Sequence, residues 1–283
     1  MDSHLDDLVI AITGASGGIG WALAEAFALE GANLALHGHS GLGALEERVS
    51  ATAWRDRAIC VGGDVREPAT SWGLIDAAVE RFGRVDVLVA SAGVWPERAQ
   101  PLHEMSESRV RDVIETNLLG VMWSARAFLV GLARTGPRPD GLGASILLIG
   151  STAGRFGEAG HVEYATSKAA LRGMLASLKN EIVELDPCGR VNMVEPGWTV
   201  TPMARPSLDE AGTIERVLST MSMRQLGTVE DIAATAVFLS SPRQARHVSG
   251  EILTVAGGME GRRLWREDQI DRDDVLRRID ERE

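Results

Sequence analysis

Seven short apolar runs, separated by helix-like stretches, set the strongest limit on how this chain can fold. The runs cover 8–13, 33–37, 58–61, 85–90, 145–150, 191–194 and 251–255. Helical composition and spacing mark 18–29, 43–53, 69–81, 106–134, 162–185 and 229–240. Strands that are apolar throughout, rather than alternating, belong in a sheet covered on both faces, and strand–helix alternation makes that sheet parallel. Right-handed crossovers then predict an α/β fold: a single Rossmann-type, doubly wound parallel sheet of about seven strands, with ligands at the carboxyl ends of the strands.

A chain of 283 residues is long enough for one such domain and short for two. We assign 1–260 to a dinucleotide-binding domain that includes the substrate site, with 199–222 as a lid and 261–283 as a charged tail. The stretch 135–143 reads as a Gly/Pro loop. A net charge of −11 argues against a nucleic-acid partner. Cys60 and Cys188 make neither a disulfide framework nor a metal cluster. The acidic first residues lack the pattern of a signal peptide, and no apolar stretch is read as membrane-spanning. The expectation is a cytoplasmic protein with a small-molecule substrate, no nucleic acid and no membrane.

The segment Thr13-Gly-Ala-Ser-Gly-Gly-Ile-Gly20 follows the first strand and opens the first helix. Gly14, Gly18 and Gly20 suit a tight turn whose backbone N–H groups approach a pyrophosphate, with the helix N-terminus favouring the anion. A glycine turn can also be a plain connection, but its place in a doubly wound pattern points to a dinucleotide.

Tyr164 is the only tyrosine, and Lys168, one of two lysines, lies four residues on, on the same helix face. A phenol near pKa 10 is a poor acid/base at neutral pH, and a neighbouring ammonium is expected to lower it. Isolated, such a pair reads as a surface feature. Ser151, thirteen residues before Tyr164 and just past the fifth strand, brings a hydroxyl to the ligand edge of the sheet. Asn117 is an amide among apolar helix neighbours and reads equally as a satisfied core residue.

From about Leu8 to Gly258 the chain resembles the short-chain dehydrogenase/reductase family, in its roughly 250-residue oxidoreductase branch. The motifs are TGASGGIG at 13–20, Asp64-Val65, Ser91-Ala92-Gly93, Asn117, Ser151, Tyr164-Ala-Thr-Ser-Lys168, Pro196-Gly197 and the ending at 249–258. The resemblance implies an NAD(P)(H)-dependent oxidoreductase, 3-oxoacyl reductase-like, that moves hydride between nicotinamide and a ketone or secondary alcohol. It implies Tyr164 as acid/base and Lys168 as the group that lowers its pKa and binds the nicotinamide ribose. Ser151 would hold the substrate oxygen, and Asn117 a relay water. Gly14, Ser16, Gly18, Ile19 and Gly20 would meet the pyrophosphate, Asp64 and Val65 the adenine, and Ser91, Ala92 and Gly93 the turn beside it. Val194, Pro196, Gly197, Thr199 and Thr201 would line the nicotinamide end. A homo-oligomer, tetramer or dimer, that pairs the two long helices is also implied. Ser91 stands where the family carries Asn, so the usual brace of the sheet is there only in part.

Trp95, Thr152, Trp198 and Met203 are the candidate substrate residues, and the indoles suit a bulky apolar ketone or acyl thioester. The alternatives are a sugar or polyol dehydrogenase, a catalytically inactive nucleotide-binding regulator, and a sugar-nucleotide enzyme of the longer branch. The complete Ser/Tyr/Lys/Asn set speaks against an inactive regulator, and about 20 residues after the last strand are too few for the longer branch. For the cofactor, NADP(H) is preferred and NAD(H) usable. No Asp or Glu occurs between Glu30 and Glu46, where an NAD site needs a carboxylate, and His39 and Ser40 could contact a 2′-phosphate. The tail carries Trp265, Val275, Leu276 and Ile279 on one stripe and is expected to dock on a neighbouring subunit.

Overall fold

The computed structural model describes residues 3–209, 212–223, 225–259 and 261. Seven strands form one sheet: β1 (Val9–Thr13), β2 (Asn33–Gly38), β3 (Ala58–Gly62), β4 (Val87–Ala90), β5 (Ser145–Ile149), β6 (Arg190–Pro196) and β7 (Ile252–Val255). Their order is β3-β2-β1-β4-β5-β6-β7, and every pairing is parallel. β1, β4, β5 and β6 are buried along their whole length, which is why their sequences carry no alternation.

Helices cover both faces: α1 (Gly18–Leu29), α2 (Leu42–Ser50), α3 (Pro68–Phe82), α4 (Glu107–Ile114), α5 (Gly120–Thr135), α6 (Thr152–Phe156), α7 (Val162–Glu181), α8 (Arg205–Leu208), α9 (Thr213–Leu218) and α10 (Val229–Ser240). Local chemistry sets several ends. Pro68 opens α3 and Gly83 closes it in the left-handed conformation. Thr228 and Asp231 form a reciprocal capping box at the start of α10. One core lies on the α1/α10 face of the sheet and a second beneath α3, α5 and α7. The chain reverses direction of travel between β1 and β4, where Thr13 pairs with Ala90. That switch point opens a crevice at the carboxyl edge.

Three readings of the sequence are corrected. The single helix expected over 106–134 is α4 and α5 joined by a π-helical turn, Glu115–Leu119. A π turn inserts one residue into the helical ladder, and here it centres on the fully buried Asn117. The joined run Glu107–Thr135 is, against the sequence reading, long and apolar enough to cross a membrane by length and composition alone. In this fold it packs on α3 and β4 as a core helix. Finally, the segment after β5, not read as helical, forms α6, and the proposed lid contains α8 and α9. Residues 210 and 211 of that lid and the tail 262–283, including its expected docking, lie outside the described residues.

Candidate active site

A cavity of about 600 Å³ runs along the carboxyl edge of the sheet. Its cofactor end is built from the β1–α1 turn. Gly14 sits at φ +70°, and a Cβ there would lie 2.7 Å from the Ala92 Cα. A Cβ on Gly20 would lie 2.1 Å from the Gly14 carbonyl oxygen. Neither position tolerates a side chain, so backbone alone faces the crevice. No side chain caps α1, which leaves its first-turn N–H groups available to an anion. The Thr13 hydroxyl accepts from both Ser91 N–H and Ala92 N–H, each at 3.1 Å, and ties β1 to the turn after β4. Thr13 therefore does the bracing that the Ser91 departure had put in question. The donor set and the bare backbone fit a dinucleotide.

At the β2 and β3 end the cavity is lined by Ser16, His39, Ser40, Asp64 and Val65. Arg66, which sequence reasoning passed over, lines it too. Its guanidinium pairs with Asp64 at 2.6 Å and Asp112 at 3.0 Å. The hydrogen bond from Arg66 holds the Asp64 carboxyl below its usual range. His39 is largely exposed, with its Nε2 3.9 Å from Asp64.

At the other end the cavity meets Ser151, Tyr164 and Lys168. Tyr164 and Lys168 stand one turn apart near the start of α7, and Ser151 caps α6 by accepting from Ala153 N–H at 3.1 Å. The phenol and the Ser151 hydroxyl face the same cavity. Lys168 Nζ donates to the Ile149 carbonyl at 2.9 Å and lies 5.9 Å from the Tyr164 ring centroid. Burial pulls the Lys168 ammonium down to about 8. The expected lowering of the Tyr164 pKa by Lys168 is not what the structure shows. Burial pushes it above its ordinary value, the Ser151 hydrogen bond pulls the other way, and the Glu158 charge adds to the rise.

Asn117 does not line the cavity; it lies under it. Its Oδ1 accepts from Val94 N–H at 2.7 Å and its Nδ2 donates to the Val94 carbonyl at 2.9 Å. The amide is a clamp on the loop after β4.

All the remaining candidates, Ile19, Gly93, Thr152, Pro196, Gly197, Thr199, Thr201, Trp95, Trp198 and Met203 among them, line the same cavity, whereas Val194 is buried in the core. Trp95 stacks on His161, centroids 3.9 Å apart, and meets Tyr164 edge-on. Burial drops His161 to about 4, so it is neutral at physiological pH. Arg109 holds this wall together: it donates to the carbonyls of Arg98 and Gly160 at 2.7 and 3.1 Å and pairs with the buried Glu163 at 2.7 Å. Glu158 also lines the cavity. Nothing in the sequence singled it out, because it sits in a glycine-flanked loop with no periodicity.

A family model described as enoyl-(acyl carrier protein) reductase matches residues 14–260. L-rhamnose 1-dehydrogenase (NAD(P)(+)) of Azotobacter vinelandii is 34% identical over 261 residues, covering 90% of this chain and 97% of that protein. The chain is a short-chain dehydrogenase/reductase. The 3-oxoacyl-[acyl-carrier-protein] reductase of Vibrio cholerae is 32% identical over 256 residues, covering 90% of this chain and 98% of that one. A crystal structure from Brucella melitensis, described as a short-chain dehydrogenase/reductase of the glucose/ribitol dehydrogenase type, superposes with a TM-score of 0.81 at 31% identity. It covers 92% of this chain and 99% of that one. As a short-chain dehydrogenase/reductase the protein is an NAD(P)(H)-dependent oxidoreductase that interconverts a carbonyl and an alcohol.

Proposed function

We propose that this enzyme transfers hydride between nicotinamide and a ketone or secondary alcohol with Tyr164 as general acid in reduction and general base in oxidation. The observation that carries the reading is that Ser151, Tyr164 and Lys168 line one and the same crevice. The bound nicotinamide supplies or accepts the hydride. Ser151 holds the substrate oxygen beside the phenol, and Lys168 keeps a positive charge under the ring while meeting the ribose. Asn117 fixes the Val94 turn, and any relay water is held by backbone freed at the π turn. Gly14, Gly18 and Gly20 hold the pyrophosphate, and Asp64 and Val65 face the adenine. Ser16, His39, Ser40 and Arg66 favour NADP(H) over NAD(H). No step calls for a membrane, and a cytoplasmic setting and a homo-oligomer complete the proposal.

The two indoles and Met203 favour a bulky carbonyl substrate. Glu158 favours a second reading, a sugar or polyol, because a carboxylate in the pocket accepts hydrogen bonds from substrate hydroxyls and repels anions. A screen of NADPH and NADH against cyclic ketones, 3-oxoesters and, in the oxidative direction, aldoses and polyols separates the readings. Faster turnover of a small sugar than of any ketone would remove the apolar reading, and no turnover with any of them would remove the catalytic assignment.

A further inference from the structure

The structure assigns a role to a residue that the catalytic reading does not use. His37, near the end of β2, is 2% exposed, and both ring nitrogens are engaged. Nδ1 lies 3.2 Å from the backbone N–H of Gly14, the first glycine of the dinucleotide turn. Nε2 lies 2.9 Å from the Gly63 carbonyl, just before Asp64. An N–H can only donate and a carbonyl can only accept. The ring must therefore accept at Nδ1 and donate at Nε2, which fixes a single neutral tautomer. The same residue's carbonyl accepts from Ala15 N–H at 2.8 Å. Thus one side chain and its own backbone hold two successive residues of the glycine turn and join them to the β3–α3 loop.

We propose that His37 is a positioning residue for the dinucleotide turn, and that a proton on its Nδ1 unlatches Gly14 and weakens cofactor binding in acid. Protonation turns the acceptor that faces Gly14 into a second donor, and two N–H groups would then point at each other. Gly14 has little room to adjust, since even a Cβ there would lie 2.7 Å from the Ala92 Cα. The charged groups facing the ring are Asp64, from the β3–α3 loop, and His39, from its own strand end. Burial, helped by His39, outweighs the Gly63 hydrogen bond and the Asp64 charge and holds the imidazole neutral at physiological pH, so the latch is closed there. The proposal rests on the dinucleotide reading of the glycine turn.

The test is the dissociation constant of NADH, which has no titrating 2′-phosphate, measured by quenching of tryptophan fluorescence from pH 8 to 5. Wild type should weaken at least about threefold toward pH 5, within the limit of one linked proton, tenfold per pH unit. His37→Asn keeps an acceptor near the Nδ1 position but does not titrate, so its binding should be flat over this range. His37→Leu, which has no acceptor, should bind about tenfold more weakly at pH 7.5, the ~1.4 kcal/mol of one net hydrogen bond. A flat wild-type profile overturns the proposal. So does a His37→Asn profile that still falls in acid, or wild-type affinity in His37→Leu. If the leucine variant does not fold, the comparison of wild type with His37→Asn decides. Absence of NADH and NADPH binding at every pH would instead sink the dinucleotide reading itself.

Discussion

The Trp95 indole meets the Tyr164 ring edge-on, with centroids 4.6 Å apart and an interplanar angle of 85°. Edge-to-face packing of this kind holds a ring in place without touching its hydroxyl. Tyr164→Phe therefore keeps the contact and deletes only the proton. Turnover should fall by at least ~10²-fold, the scale of positioned acid/base catalysis. Dinucleotide affinity and the melting temperature should stay close to those of the parent. A variant that keeps more than a tenth of the parent kcat would remove Tyr164 from the acid/base role.

Arg109 stands behind the same wall. Its side chain pairs with Glu163, whose side chain is fully buried, and reaches the carbonyls of Arg98 and Gly160. Arg109→Ala strands a buried carboxylate and frees both loops. Breaking a buried pair from one side costs about 3 kcal/mol or more, so urea denaturation should show a loss of that order. The KM for the carbonyl substrate should rise more than kcat falls, because the Trp95 wall loses its tether. Unchanged stability in the variant would show that Glu163 takes up a proton or another partner at little cost.

Glu158 and Tyr164 give the pH dependence a sign. Burial raises the phenol pKa, and the Glu158 charge adds to it because a negative neighbour disfavours phenolate. The base form needed for alcohol oxidation therefore grows with pH. Removing the charge in Glu158→Gln lowers the phenol pKa and moves the rising limb of kcat/KM for oxidation to lower pH. The same variant should lose activity toward hydroxyl-rich substrates relative to a cyclic ketone, if Glu158 receives their hydrogen bonds. A limb that stays in place would show that the charge is screened from the phenol by water in the cavity.

The parts of the fold that were legible in the sequence are those whose physics is local. Strands such as Val87–Ala90 read clearly because both faces are buried, and a run with no polar residue has few other homes. The glycine turn read clearly because positions such as Gly14 exclude every other residue. The π turn at Glu115–Leu119 was not legible, because the Asn117 at its centre is held by Val94, a contact 23 residues away. The direction of the Tyr164 shift was missed for the same reason. Spacing placed Lys168 beside the phenol, but only the packed site shows its Nζ turned to Ile149 and the ring enclosed. His37 fell within the second strand run and was not singled out, since nothing in 33–40 shows that its ring reaches Gly14 and Gly63.

Cofactor choice turns on the charges around the adenosine end. Asp64 carries the carboxylate there, but Arg66 grips it at 2.6 Å and holds it ionised, so the pair is close to neutral as a unit. His39 is exposed beside them, with its Nε2 3.9 Å from Asp64. Imidazole is a weaker anchor than a guanidinium fork, so the preference for NADPH should be modest. We expect a kcat/KM ratio of NADPH to NADH of about tenfold, worth ~1.4 kcal/mol. His39→Asp places a carboxylate where the phosphate would sit, and the ratio should fall below one through a rise in KM for NADPH. Arg66→Ala removes a cation and releases Asp64, so it should also lower the ratio while leaving kcat near that of the parent. The decisive measurement is the parent's own ratio at fixed ionic strength, because phosphate contacts are screened by salt. A parent that favours NADH tenfold would mean that Asp64, rather than His39 and Arg66, governs the ribose.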